Sequence, residues 1–210
     1  MKNIYLIRHS APFALIDNYS DYENVLWEEY NKNMILSVEG EENAKKLCNI
    51  KELSNIKEIY ASNSFRAIAT AKYVAEKNNI KIKLDDRINE REFGVDYLNE
   101  LPEDFTRKSF EDNSFKTEKG ESLNDLNKRF NNFINEIVCS DKNNVVVVIH
   151  GIIFLSYLQS ISSSFEYDGK KFKILFKDKI LLDGKLKSPD VYKLEFDDNR
   201  KLVNVYNNLI

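Results

Sequence analysis

Histidine is scarce in this chain: two residues in 210, His9 and His150. Cysteine is equally scarce. Cys48 and Cys139 lie far apart with no C-x-x-C spacing, which reads them as buried free thiols in a reducing compartment and excludes a disulfide framework or cysteine-based zinc site. There is no basic excess, with 31 Lys and Arg against 34 Asp and Glu and a net charge of −3. That argues against nucleic acid or any general polyanion as a partner, although a local arginine cluster can still hold a small anion. The amino terminus lacks a basic-then-hydrophobic leader. The longest apolar stretch, 145–158, is broken by His150 and too short to cross a bilayer. The expectation is a soluble, cytoplasmic protein with no membrane partner. No repeats or low-complexity tracts stand out. With 42% apolar residues the chain can build a packed core, and its length suits one domain over residues 1–210.

Strands and helices alternate in the pattern. Strands are expected at 2–7, 56–61, 80–84 and 145–149, and helices at 37–50, 64–77, 122–138 and 151–160. Ala67, Ala71, Val74 and Ala75 share one face of the second helix, and Leu123, Leu126, Phe130, Phe133, Ile134 and Ile137 form a stripe on the third. Segments 171–176, 191–196 and 202–206 alternate and are expected as strands on an edge of the sheet. Two polar and aromatic segments, 11–35 and 94–119, read as excursions, each with one short helix. The alternation implies an α/β sheet with helices on both faces.

Each histidine sits where a β-branched run stops: Ile4-Tyr5-Leu6-Ile7 leads into Arg8-His9, and Val145 to Ile149 leads into His150-Gly151. Such runs read as buried parallel strands, and ligands bind at the carboxyl edge of sheets built from them. One strand-end histidine would more simply be a hydrogen-bonded core residue. A matched pair, one preceded by arginine, favours function. Two histidines beside an arginine with no third ligand give little support for a metal, and no cofactor is implied.

Six segments in order resemble the histidine phosphatase superfamily, the group that contains cofactor-dependent phosphoglycerate mutase. Residues 5–9 (Y-L-I-R-H) match its opening strand, and 36–40 (L-S-V-E-G) its L-[ST]-x-x-G helix start. Residues 60–71 resemble Y-x-S-x-x-x-R-A-x-x-T-A, 88–94 resemble L-x-E-x-x-F-G, 120–122 match G-E-S, and His150-Gly151 completes the series. The resemblance implies a three-layer α/β/α sandwich with a mostly parallel central sheet, phosphoglycerate mutase-like, carrying a lid excursion. It also implies chemistry. His9 is the expected nucleophile, splitting phosphomonoester hydrolysis into two easier steps through phosphohistidine. Arg8 and Arg66 supply planar donor forks for the phosphoryl oxygens. His150 faces the nucleophile and donates as charge builds, and Glu90 is the acid/base, with Glu92 its rival because loop register is open. Ser62 is expected only to end its strand.

The pattern also breaks. Ser10 stands where the family most often has glycine, so its side chain either crowds the phosphate or adds a hydroxyl donor and counts as a candidate phosphate ligand. Leu15 replaces the asparagine found six positions after the histidine in the mutases, and Gly94 is followed by Val95-Asp96 rather than by x-x-E-G. These losses favour net hydrolysis of a small-molecule phosphomonoester, without a metal, over mutase turnover. A mutase and a non-catalytic phosphate-binding module, for which Ser10 is the best support, are the alternatives. Tyr19, Tyr22, Trp27, Tyr30, Tyr97, Phe105 and Phe110 are candidates to shape the leaving-group pocket or simply to pack the excursions. Arg107, Lys108, Lys116 and Lys119 are candidates for a second anionic group, though each is more simply a solvated charge. Substrate identity, and a monomer against a homo-oligomer, stay open.

Overall fold

A computed structural model describes residues 1–13, 25–207 and 209. Tyr19, Tyr22 and Leu15 fall outside the described residues. The central sheet has six strands: β1 (Lys2–Arg8), β2 (Glu58–Ala61), β3 (Ile82–Leu84), β4 (Val145–Ile149), β8 (Asp190–Phe196) and β9 (Leu202–Tyr206). Their order is β3-β2-β4-β1-β8-β9. The first four run parallel, and β8 and β9 continue the sheet antiparallel. Strand β4 is buried along its whole length, as its unbroken valine-isoleucine run requires of a strand covered on both faces.

Side-chain alternation along β1 and β4 divides the core in two. Ile4 and Leu6, with Val145, Val147 and Ile149, face helices α5 (Leu123–Cys139) and α6 (Gly151–Ile161). Tyr5 and Ile7, with Val146 and Val148, face α3 (Phe65–Asn78) and the turns that follow α2 (Val38–Lys46). The apolar stripes read from the sequence are the buried faces of α3 and α5. Helix α5 starts at a reciprocal cap, Ser122 Oγ accepting from the Asp125 amide at 3.0 Å while Asp125 Oδ2 accepts from the Ser122 amide at 3.1 Å. The expected helix over 37–50 ends sooner, giving way to single 3₁₀ turns at Leu47–Asn49 and Lys51–Leu53.

The carboxyl-terminal third departs from expectation. Segment Phe172–Phe176 is β6 of a separate antiparallel sheet, between β5 (Ser164–Tyr167) and β7 (Lys179–Gly184), rather than an edge of the main one. Phe172, Ile174, Leu181 and Leu182 bury one face of this sheet in the α5–α6 core. Phe110, from the short helix α4 (Phe105–Glu111), wedges against Phe165 and Phe172 with ring centroids 5.5 and 5.3 Å apart. The other excursion carries α1 (Trp27–Asn33). Neither cysteine is buried: Cys48 is half-buried and Cys139 exposed, and both are free. No helix among the described residues is long and apolar enough to cross a membrane.

Candidate active site

Parallel pairing of β1 with β4 puts Arg8 opposite Ile149, so the next residue of each strand, His9 and His150, emerges side by side at the carboxyl edge. Their ring centroids are 5.1 Å apart. Both rings are buried, and their protonation follows from their partners. His9 Nδ1 lies 2.7 Å from the Ser10 carbonyl, which can only accept, so Nδ1 carries the hydrogen. Nε2 is then a bare lone pair, and it accepts from Arg66 Nε at 3.1 Å. Arg66 Nη2 donates to His150 Nδ1 at 2.9 Å, which leaves the His150 proton on Nε2, facing Ser62 Oγ at 2.5 Å. Burial first, and then the Arg66 and Arg8 charges, hold the His9 pKa well below its usual 6.5. Burial and Arg66 do the same for His150. Both rings are neutral at physiological pH.

Arg66, in the first turn of α3, is held on the far side by Asn31, whose carbonyl and Oδ1 (2.8 Å) both accept from it. Burial lowers its pKa to about 10, which leaves it charged at neutral pH. Arg8 donates through Nη1 to the carbonyls of Leu186 (2.5 Å) and Lys187 (3.1 Å), while its buried Nε has no partner among the described residues. An orphaned donor on a buried guanidinium is the state expected of a group waiting for an anion.

Glu90 completes the ring from a loop on another part of the chain. Its Oε2 accepts from the Ile152 amide at 3.0 Å, and its Oε1 from the Ile153 and Arg91 amides, each at 3.0 Å. Helix α6 makes no side-chain cap of its own at His150, so Glu90 supplies the cap. Glu92, the rival from the sequence, is exposed and does not line the site cavity.

His9, Arg8, Arg66 and Glu90 line one cavity of about 530 Å³. Both excursions contribute walls, the first through Trp27 and Met34, the second through Leu98, Leu101 and Phe105. Trp27 stacks on Phe93 at 5.9 Å, and Phe93 meets Phe105 edge-on at 5.7 Å. Tyr30, Tyr97 and Phe110 lie outside this lining. So do Arg107 and Lys116, which pair with Asp104 and Asp125, and Lys108 and Lys119.

Ser10 is brought to the site but turned away from it. Its hydroxyl donates to the Gly40 carbonyl at 2.7 Å and its amide to Thr70 Oγ1 at 2.9 Å, so its polar groups brace α2 and α3 against the loop carrying His9. Gly40 is required there: a Cβ would lie 2.0 Å from the Ala11 carbonyl oxygen.

Sequence reasoning missed three supports. Ser62 is more than a strand end, since it is the partner of His150; its place in the Y-x-S motif was the available signal. Asn31 and Ser188, whose Oγ donates to the His9 carbonyl at 2.7 Å, carried none.

The profile of the histidine phosphatase superfamily (branch 1) matches residues 4–179. The chain belongs to the histidine phosphatase superfamily. Phosphoserine phosphatase 1 of Hydrogenobacter thermophilus is 31% identical to it over 121 residues, which are 54% of this chain and 57% of that protein. The chain therefore aligns with little more than half the length of this relative. Among solved structures of the fold, mycobacterial glucosyl-3-phosphoglycerate phosphatase superposes with a TM-score of 0.69 at 17% identity, covering 99% of this chain and 97% of that one. YhfR of Bacillus stearothermophilus gives 0.65 at 20% identity, covering 96% and 94%. As in those histidine phosphatase folds, the central sheet here is mostly parallel and layered between helices.

Proposed function

We propose that this histidine phosphatase superfamily member hydrolyses small-molecule phosphomonoesters through a phosphohistidine at His9. The observation that carries the reading is the His9 ring. It is neutral, with Nδ1–H committed to a backbone carbonyl and its Nε2 lone pair turned to Arg66 on the wall of a cation-lined cavity.

In the first step Nε2 attacks phosphorus in line as the bond to the leaving oxygen breaks. The phosphoryl group draws Arg66 from the two imidazoles onto its oxygens, where Arg8 Nε also donates. Three of the four lone-pair positions of the Glu90 carboxylate are used by amides, and the remaining one, on Oε2, is where a proton for the leaving oxygen is carried. In the second step Glu90 takes a proton from water, the water oxygen attacks the phosphohistidine, and phosphate and neutral His9 are released. His150 stabilises both transition states once its proton shifts to Nδ1, a shift the Ser62 hydroxyl permits because it can donate to Nε2 as readily as accept. Guanidinium and imidazole N–H groups meet the developing charge, and the scheme calls for no metal.

Ser10 acts here as a brace rather than a phosphate ligand, which removes the main support for a non-catalytic module. The two excursions shape the leaving-group end of the cavity. Rapid quenching of the protein with a 32P-labelled aryl phosphate tests the reading. Acid-labile label on the peptide bearing residue 9, with label and turnover both lost in His9→Asn, is the expected result. Turnover that persists in His9→Asn overturns it. Vanadate should inhibit; a solved complex of the mycobacterial relative contains VO3.

A further inference from the structure

The cavity carries more positive charge than phosphoryl transfer uses. Arg8, Arg66, Lys170 and Lys185 line it, against the single carboxylate of Glu90. In an acidic chain this local excess calls for an explanation. Both lysines come from the small carboxyl-terminal sheet, Lys170 in the turn between β5 and β6 and Lys185 immediately after β7. Some lysines elsewhere are ion-paired, Lys72 with Glu41, Lys83 with Glu58 and Lys193 with Glu195. Lys170 and Lys185 are both exposed residues at the rim of this lining, and neither has an ion pair among the described residues. Asp168, the acid nearest Lys170 in sequence, is turned back on its own turn and accepts from the Lys170 and Lys171 amides at 2.8 and 2.7 Å. Lys185 adjoins Leu186, whose carbonyl holds Arg8, and both residues line the cavity. The same lining includes the apolar side chains of Leu155, Phe172 and Leu186.

We infer that Lys170 and Lys185 form a second anion-binding site, and that the substrates are phosphomonoesters whose leaving group carries a carboxylate or other acidic group beyond an apolar spacer. This rests on the phosphomonoesterase reading and names the substrate class of that same site. The cavity, about 530 Å³, is large enough for such a leaving group.

Two esters with nearly equal leaving groups separate this site from the chemistry: 4-(carboxymethyl)phenyl phosphate and p-tolyl phosphate. A partly exposed ion pair is worth about two- to fivefold, so the full chain should favour the carboxylate ester about tenfold in kcat/KM, mostly through KM. Lys170→Gln with Lys185→Gln should bring the ratio to about one while leaving p-tolyl phosphate turnover unchanged. Raising the salt concentration should shrink the preference in the unsubstituted chain only. A ratio near one in the unsubstituted chain, or a preference that survives both substitutions, overturns the inference. If neither ester is hydrolysed, the phosphomonoesterase reading fails instead. Titration calorimetry of the two esters then decides the lysine site, which stands if the carboxylate ester binds tighter and the double substitution abolishes the difference, and falls otherwise.

Discussion

Replacing Glu90 by glutamine separates the capping of α6 from the proton transfer proposed for the same carboxylate. In the folded protein its oxygens take the Ile152 and Ile153 amides at the start of α6, and a glutamine of the same shape can accept only through its single carbonyl oxygen. Losing one charge-assisted bond and the favourable charge at the helix terminus costs about 1–2 kcal/mol. For a chain of this length that lowers Tm by roughly 2–8 °C. The catalytic loss should be far larger, about 10²- to 10⁴-fold in turnover, because the glutamine cannot deliver a proton. The two effects are told apart by leaving group. With an alkyl phosphate, whose alkoxide needs the proton, the drop in kcat/KM should be at the upper end. With 4-nitrophenyl phosphate, whose anion leaves unaided, it should be at the lower end or below. Glu92→Gln serves as the control and should change neither ester by more than about twofold, as expected of an exposed side chain outside the cavity. Equal losses with both esters would make Glu90 a helix cap and nothing more. Unchanged turnover of the alkyl ester would remove it from the chemistry altogether.

Two further outcomes are expected. His9 and His150 have folded pKa values depressed below 6.5, so below that pH the unfolded chain binds protons that the folded one refuses, and stability falls as pH falls. Between pH 7 and 5.5 the loss should be about 2.5 kcal/mol for the pair, seen as a falling urea midpoint that flattens when both are replaced by asparagine. Equal pH dependence in the two proteins would show that the rings are not held neutral by the fold. Ser62→Ala leaves the His150 Nε2–H without its acceptor in a buried site, at a cost of about 1–3 kcal/mol. Differential scanning calorimetry should record the lowered Tm, and an unaltered Tm would place the His150 proton elsewhere.

The first two-thirds of the fold was legible because its signals are local and repeated. A continuous valine run specifies a strand covered on both faces, and the stripes on α3 and α5 name the faces that cover it. The meeting of the candidate residues was legible for a related reason: both histidines stand where strands end, and parallel pairing turns distant positions into neighbours. Motif glycines have physical grounds as well. A Cβ at Gly94 would lie 2.2 Å from the Gly120 amide nitrogen, so F-G and G-E-S, separate in sequence, are the two sides of one close contact. The rest depended on long-range packing. Strands β5 and β7 are short, and one face of their sheet becomes a core only by packing on α5, α6 and Phe110 from α4. Ser10 and Ser62 both depart from their expected parts because a hydroxyl's role depends on the partner it faces, and residue type says nothing of that.

Arg8 divides its guanidinium between two tasks. One nitrogen fastens the stretch at Leu186–Lys187, and another, the buried Nε, has no partner among the described residues and is the donor proposed to meet the phosphoryl group. Grafting a foreign carboxyl-terminal sheet onto this scaffold to change its diet therefore has a natural seam just ahead of residue 186. A splice placed later would unhook the Arg8 guanidinium along with the wall it was meant to replace.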